Sequence, residues 1–107
     1  MGAHLKPDER CRQFLDAGLP LAEVHGYRNV TREMVAARIG CSPSLLSKYW
    51  SASEWHSELL NRAVNDGNLS VIAQGLVHRH PIAIAAPMSL KQAAANALLE
   101  EIGRAHV

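Results

Sequence analysis

The chain has 107 residues, of which 48% are apolar and only 5% are aromatic, and its formal net charge is +1. This length fits one domain with one modest core, and a composition rich in leucine and alanine is typical of a small all-α protein rather than a β-sandwich or β-barrel. No apolar run approaches the roughly 20 residues that cross a bilayer, and the N-terminus lacks the apolar segment of a signal peptide, so we expect a cytoplasmic protein with no membrane partner.

The charge is distributed unevenly along the chain. Residues 25–50 carry four basic side chains against the single carboxylate of Glu33, whereas the segments on either side have one more acidic than basic side chain each. A local basic patch on a nearly neutral protein can meet a polyanion at that place. The two cysteines, Cys11 and Cys41, fit no metal-ligand spacing and are predicted to be free thiols.

The first helix is predicted to begin at Pro7, because proline is favoured at the first helical position and the carboxylates behind it suit the positive end of the helix dipole. Its apolar spacing continues to Gly26, which is predicted to end it. Pro20 conflicts with this pattern, since an interior proline removes a backbone donor. We therefore expect either a kink near residues 17–19 or two helical pieces.

Two short helices follow. Thr31 is a predicted N-cap for a helix that ends at Gly40, and Ser42 with Pro43 is predicted to begin a third helix that runs to about Tyr49. Ser51 with Glu54 forms a predicted capping box for a fourth helix, which ends in the turn 66–68.

The last part of the chain contains two further predicted helices. An apolar segment covers residues 69–77, and Ser89 with Gln92 forms a predicted capping box for a sixth helix. One face of that helix is apolar and either completes the core or forms a dimer surface. Its residues are Leu90, Ala94, Ala97, Leu98 and Ile102.

The second and third helices have the features of a helix-turn-helix. The small Ala36 leaves space where the two helices cross, and Gly40 can adopt the positive φ of a sharp turn. Val35, Ile39, one of Leu45 and Leu46, and Trp50 are predicted to close the core. The polar residues of the third helix then face outward, and the helix is narrow enough to enter a major groove. These residues are Ser42, Ser44, Ser47, Lys48 and Tyr49.

From about residue 12 to residue 63 the chain resembles the N-terminal DNA-binding domain of the TetR family of bacterial regulators. The quoted stretch "FLDAGLPLAEVHGYRNVTREMVAARIGCSPSLLSKYWSASEWHSELL" follows the order of that domain. The resemblance implies a recognition helix in the major groove and phosphate contacts at the starts of the second and fourth helices. Arg28 of the basic segment is added to the DNA-facing residues that the resemblance implies. The complete set is Arg28, Thr31, Arg32, Ser42, Pro43, Ser44, Leu45, Ser47, Lys48, Tyr49 and Ser53.

Several positions depart from the family pattern. Ser47 replaces a usual tyrosine, Leu45 a commoner threonine, and Ser53 a frequent phosphate-binding lysine. Only about forty residues follow Gly67, where the family has a long ligand-binding and dimerisation region. The chain is thus either a truncated relative or a small phage- or plasmid-type regulator, and we expect no small-molecule inducer.

These features predict a helix-turn-helix unit in residues 1–66 and a short helical segment in residues 67–107 that packs on it and forms a homodimer. The predicted function is a sequence-specific, dimeric regulator of transcription, a repressor that binds double-stranded DNA. Two alternatives remain: a protein-interaction module, such as a phage assembly factor, and a DNA-packaging protein.

A glycine-rich phosphate loop and a nucleophile elbow are missing from the sequence, so we expect no enzyme and no cofactor. His78 and His80 lack a third ligand at a suitable spacing, so no metal site is predicted.

Overall fold

A computed structural model describes residues 6–105, including the side chains of residues 6–103. This part of the chain contains helices and no strands, which confirms the all-α prediction. Seven α-helices and one 3₁₀ turn follow each other along it. Their bounds are α1 Pro7–His25, the 3₁₀ turn Tyr27–Asn29, α2 Arg32–Ile39, α3 Pro43–Ser47, α4 Ala52–Asp66, α5 Leu69–Val77, α6 Pro81–Ile84 and α7 Met88–Ala105.

Helix α1 is continuous although Pro20 lies inside it, so the expectation of two helical pieces is wrong. The proline leaves the carbonyl of Asp16 without its helical donor, but Asp16 is exposed and water can hydrogen-bond a carbonyl there. The residues on the other side of the helix, Ala17, Gly18 and Leu19, are buried. Their packing holds the helix together across the proline.

The approach of α1 to α4 depends on a glycine. A Cβ atom built on Gly18 would lie 2.7 Å from two carbon atoms of the Trp55 ring, which is shorter than any real Cβ contact. Trp55 itself is 2% exposed, and its indole N–H donates a hydrogen bond of 3.1 Å to the carbonyl of Val30. Trp55 is therefore a core anchor between α1, α4 and the start of α2.

Helix α5 packs against both α4 and α6, and the same core extends from the helix-turn-helix unit into the C-terminal segment. A Cβ atom on Gly75 would lie 2.7 Å from the Cβ of Ala83 and 2.8 Å from Leu60. Val71 and Ile72 of α5 are fully buried in one cluster with Leu60. The two segments thus share a hydrophobic interior.

The region between α5 and α7 differs from the prediction. A short helix, α6, occupies residues that were not assigned to any helix, and it begins after His80, whose Nδ1 accepts a hydrogen bond of 3.2 Å from the N–H of Ile82. Helix α7 begins at Met88. Ser89 therefore lies in its first turn and is not an N-cap, so the predicted capping box of Ser89 and Gln92 is wrong. The sequence does not indicate α6, because its N-cap is a histidine rather than the usual serine, threonine, aspartate or asparagine.

Gln74 of α5 joins the end of α1 to the C-terminal segment. Its side-chain oxygen accepts a hydrogen bond of 2.8 Å from the N–H of Tyr27, and its side-chain nitrogen donates one of 3.0 Å to the carbonyl of Ala22. One amide thereby satisfies a donor of the 3₁₀ turn and an acceptor at the end of α1. The position of α5 on the helix-turn-helix unit is fixed by these two polar contacts as well as by the core.

Three histidines surround the ring of Tyr27 at the same junction. The ring centroids of His56, His78 and His80 lie 6.3, 5.7 and 6.2 Å from that of Tyr27, all edge to face. Arg28 donates a hydrogen bond of 3.3 Å to Nδ1 of His78. Because a guanidinium can only donate, the Nδ1 atom of His78 is the acceptor in this contact. The Nδ1 of His80 likewise accepts a backbone N–H.

This junction predicts a loss of stability in mild acid. Burial lowers the pKa of His56, and the nearby Arg28 and His80 lower it further by electrostatic repulsion of the protonated form. The unfolded chain binds a proton at His56 near pH 6.5, whereas the folded chain does so only at a lower pH. The free energy of unfolding is therefore highest above about pH 6.5, and it decreases as the pH falls from there through the pKa of His56 in the folded chain. Urea unfolding at pH 7.5 and pH 5.5 should show a drop in midpoint that is smaller in His56→Gln. An equal drop in both proteins would contradict this assignment.

Candidate nucleic-acid interface

The turn between α2 and α3 has the geometry that the sequence predicts. Thr31 caps α2 by accepting a hydrogen bond of 3.2 Å from the N–H of Met34. Gly40 is left-handed, with φ +77°, and the N–H groups of Gly40 and Cys41 both donate to the carbonyl of Ala36, at 2.8 and 3.0 Å. Ala36 is 1% exposed. The chain can therefore reverse sharply into α3.

Helix α3 is shorter than predicted, because it ends at Ser47 instead of Tyr49. The residues after α3 form a tighter turn, in which the N–H groups of Lys48 and Tyr49 donate to the carbonyls of Leu45 and Leu46, three residues earlier. The cause is the packing of the next two rings, since Tyr49 and Trp50 both contact the ring of Phe14 edge to face, at 5.5 and 6.2 Å. This contact draws the chain toward the core before a second helical turn is complete.

The serines of α3 hydrogen-bond to their own helix. Ser42 lies at the N-cap position but its side chain does not cap the helix, and its Oγ instead lies 2.8 Å from Oγ of Ser44. Ser47 donates a hydrogen bond of 2.8 Å to the carbonyl of Ser44. All three are exposed, so hydroxyl groups line one open surface that another molecule can reach.

Of the eleven residues predicted to face DNA, nine are exposed and two are half-buried. Leu45 packs against the core beside Leu46, which is the leucine that closes the core at 1% exposure. Tyr49 has its ring against Phe14. These two side chains therefore support α3 and present only part of their surface. The exposed residues are Arg28, Thr31, Arg32, Ser42, Pro43, Ser44, Ser47, Lys48 and Ser53.

A shallow groove brings together the residues predicted to bind phosphate. It is lined by Arg28 of the 3₁₀ turn, by residues at the start of α2, which are Val30, Thr31, Arg32 and Glu33, and by residues at the start of α4, which are Ala52, Trp55 and His56. Both helices point their N-termini here, and the positive ends of two helix dipoles add to the two guanidinium groups. Anions such as a backbone phosphate are the ligands that this arrangement favours. Ser53 is exposed in the same first turn of α4, with its Oγ 3.4 Å from that of Ser51.

Two features of this groove were missed by the sequence analysis. His56 lines it, although the sequence shows it only as one of several scattered histidines. Arg28 is bound to His78 of the C-terminal segment, a contact between residues that are 50 positions apart. Arg38, the third basic residue of the segment, lies instead in a different groove, which Glu9, Arg12 and Asp16 of α1 also line.

Four of the five residues predicted to form a dimer surface lie on the side of α7 that packs against the same chain. Ala94 is fully buried in the core cluster, and Leu90 and Leu98 pack against that cluster. Ala97 is half-buried in a groove shared with α5. Only Ile102 is exposed, at 47%. The assignment of Ala94 to a dimer surface is therefore wrong, because α5 already covers it, and this face of α7 mainly completes the core.

Within residues 6–105 no group of three or more histidine, cysteine, aspartate or glutamate side chains is arranged to hold a metal ion. The helices described there include none with the length and hydropathy that crossing a bilayer demands. Cys11 and Cys41 are both free, as predicted.

No protein-family model, curated protein sequence or solved structure matches the chain. The resemblance to the TetR family therefore depends on the residues quoted above, and a function has to be inferred from the geometry of α2, α3 and α4.

The turn at Gly40 predicts a clear order of stability among its variants. A Cβ atom at this position would meet nothing within 4 Å, so a substitution costs energy only through the positive φ. Gly40→Val should reduce the free energy of unfolding by about 1–3 kcal/mol, because a β-branched residue is strained there, and Gly40→Asn should reduce it less, because asparagine tolerates this conformation. Chemical denaturation measures both. Equal stability of the valine variant and the parent would contradict the left-handed turn.

The position of Tyr49 predicts a difference between two substitutions. Tyr49→Phe keeps the contact with Phe14 and should leave the free energy of unfolding unchanged. Tyr49→Ala removes a half-buried ring and an aromatic pair, and should cost roughly 1–3 kcal/mol. Thermal or urea unfolding provides the measurement. If the alanine variant is as stable as the parent, the ring faces outward, as the sequence alone predicted.

Proposed function

We propose that the chain is a sequence-specific DNA-binding regulator that places α3 in the major groove of double-stranded DNA. The observation that carries the proposal is the left-handed turn at Gly40, which presents an exposed, serine-rich α3 carrying Lys48 beyond its end. The groove with two helix N-termini and two arginines belongs to the helices on either side of α3. A polar recognition element flanked by an anion-binding groove suits a duplex better than a neutral ligand.

In this proposal the two parts of the surface have different roles. Hydroxyl groups of Ser44 and Ser47 and the ammonium group of Lys48 meet base edges or nearby phosphates, since serine can donate or accept and lysine pairs with guanine. Arg32 and the N–H groups at the start of α2 bind phosphate and fix the orientation of the protein on the duplex. Arg28 reaches phosphate only if it gives up or shares its bond to His78.

The basic groups are few, which limits the affinity of one copy. About three phosphates can be neutralised by Arg28, Arg32 and Lys48, so binding by a single copy should be weak at physiological salt. Two copies that bind half-sites one helical turn apart, roughly 34–36 Å, would gain from the high effective concentration of the second contact. We therefore propose a homodimer, and a repressor that acts by occupying its operator.

Binding to random duplex DNA at two salt concentrations separates this proposal from its alternatives. We expect measurable binding at low salt, a loss of affinity as salt rises, and tighter binding to an operator selected from a random library. Fluorescence anisotropy of a labelled duplex measures all three. Equal affinity for every sequence would favour a DNA-packaging protein, and the absence of binding at low salt would favour a protein-interaction module.

Lys48→Gln should weaken DNA binding, whereas Lys91→Gln should not. Both substitutions remove one positive charge and leave an amide, but Lys48 lies at the end of α3 and Lys91 lies on α7, where it donates to the carbonyl of Ile84. If Lys48 meets phosphate, its loss should reduce the slope of log affinity against log salt by about one unit for each copy bound. Equal effects of the two variants would remove Lys48 from the interface and leave only a general charge effect.

A further inference from the structure

Of the three histidines around Tyr27, His56 differs from the other two in its hydrogen bonding. Nδ1 of His78 accepts a hydrogen bond from Arg28, and Nδ1 of His80 accepts one from a backbone N–H. His56 is half-buried, and neither of its ring nitrogens is hydrogen-bonded to a residue in the range 6–103. In that range every buried side-chain nitrogen has a partner, so the two nitrogens of His56 reach solvent. They are therefore accessible to a ligand in the groove that this residue lines.

The same groove contains two guanidinium groups that are not neutralised. Arg28 and Arg32 are exposed in it, and neither forms a salt bridge with a carboxylate among residues 6–103. The groove has a volume of about 230 Å³, which is below the roughly 300–1,000 Å³ of pockets that bury a drug-sized ligand. It therefore suits one anionic group of a larger molecule better than a whole organic ligand.

We propose that His56, in its protonated form, binds a DNA phosphate in this groove together with Arg28 and Arg32, so that each copy takes up a proton from solvent when it binds the duplex. The inference rests on the proposed function, since DNA supplies the phosphate. A protonated imidazole donates from both ring nitrogens, whereas a neutral one donates from only one of them. Hydrogen bonds between a cationic donor and a phosphate are also about twice as strong as those between neutral groups.

The charges around His56 determine when it carries this proton. In the free chain, burial, Arg28 and His80 all lower its pKa. A phosphate between the imidazole and the arginines offsets that repulsion and raises the pKa of His56, as an opposite charge does. The titratable and charged groups around this ring come from several elements, and they are Tyr27 and Arg28 of the 3₁₀ turn, Arg32 and Glu33 of α2, His78 after α5 and His80 before α6.

The affinity for DNA should consequently rise as the pH falls. Proton binding and duplex binding favour each other, because each is stronger in the presence of the other. The rise begins at the pKa of His56 in the complex and ends at its pKa in the free chain, below which both states carry the proton. Each unit by which the duplex raises this pKa corresponds to a tenfold gain in affinity per copy. Acid thus has opposite effects at this residue, since it weakens the fold and strengthens DNA binding.

Fluorescence anisotropy of a labelled duplex at pH 7.5 and pH 6.0, at one low salt concentration, measures this dependence. The parent should bind at least about threefold more tightly per copy at pH 6.0, and His56→Gln should lose most of that gain. His25→Gln is the matched control, because His25 is exposed at the end of α1 and does not line the groove, and it should keep the gain of the parent. Circular dichroism at both pH values establishes that each variant is folded. Equal gains in the parent and in His56→Gln would overturn the proposal.

The imidazole signals of His56 separate this proposal from the proposed function. Two-dimensional ¹H–¹³C spectra recorded from pH 5 to pH 8 give its pKa in the free chain, with duplex, and with sodium sulfate at constant ionic strength. Sulfate is a suitable probe because its charge does not change in this range, and both additions should raise the pKa. A duplex that binds without raising the pKa would overturn the role of His56 and leave the proposed function in place. If sulfate raises the pKa and no duplex binds, the groove holds an anion but the proposed function is wrong.

Discussion

The contact between Trp55 and Gly18 is the constraint on which the helix-turn-helix arrangement depends. The indole lies where α4 crosses α1, so close that no side chain fits at position 18. The same ring binds the carbonyl of Val30, just before α2, and stacks on Trp50, at the end of the third helix segment, with centroids 5.4 Å apart. One side chain thereby positions the start of α2 and the exit from α3 relative to α1. The orientation of the exposed surface of α3 follows from this contact.

The C-terminal segment supports the same surface from the other side. Gln74 holds the end of α1 and the 3₁₀ turn, and Arg28, at the edge of the predicted phosphate groove, is bound to His78. The C-terminal segment therefore helps to position the residues before α2. These contacts connect the position of α5 to the start of α2.

The parts of the fold that the sequence predicted well are set by local chemistry. Thr31 and Ser51 cap their helices, and Gly40 has a positive φ, because the hydrogen bonds and the backbone conformation concerned involve residues within four positions. The parts that were wrong are set by contacts between distant residues. Helix α3 ends early because Tyr49 turns toward Phe14, 35 positions away in the sequence. Helical periodicity cannot show such a contact.

The choice of face on α7 illustrates the same limit. Two apolar stripes follow this helix, one through Ala94 and Leu98 and one through Ala95 and Leu99, and the sequence pattern does not say which of them α5 covers. The structure assigns the first to the core. Nine of the eleven residues predicted to face DNA are exposed, but the position of His56 in the groove and the bond between Arg28 and His78 required the folded chain.

The proposal that α3 binds DNA is tested most directly by mapping which backbone amides respond to a short duplex. In a two-dimensional ¹H–¹⁵N spectrum of the full chain, titration with duplex DNA at low salt should shift the amides of residues 28–53 first, above all those of α3 and the starts of α2 and α4. The amides of α7 should keep the positions they have in the free protein. Shifts confined to α7, or no shift at any duplex concentration, would contradict the central claim that α3 and the adjoining groove form a DNA-binding surface.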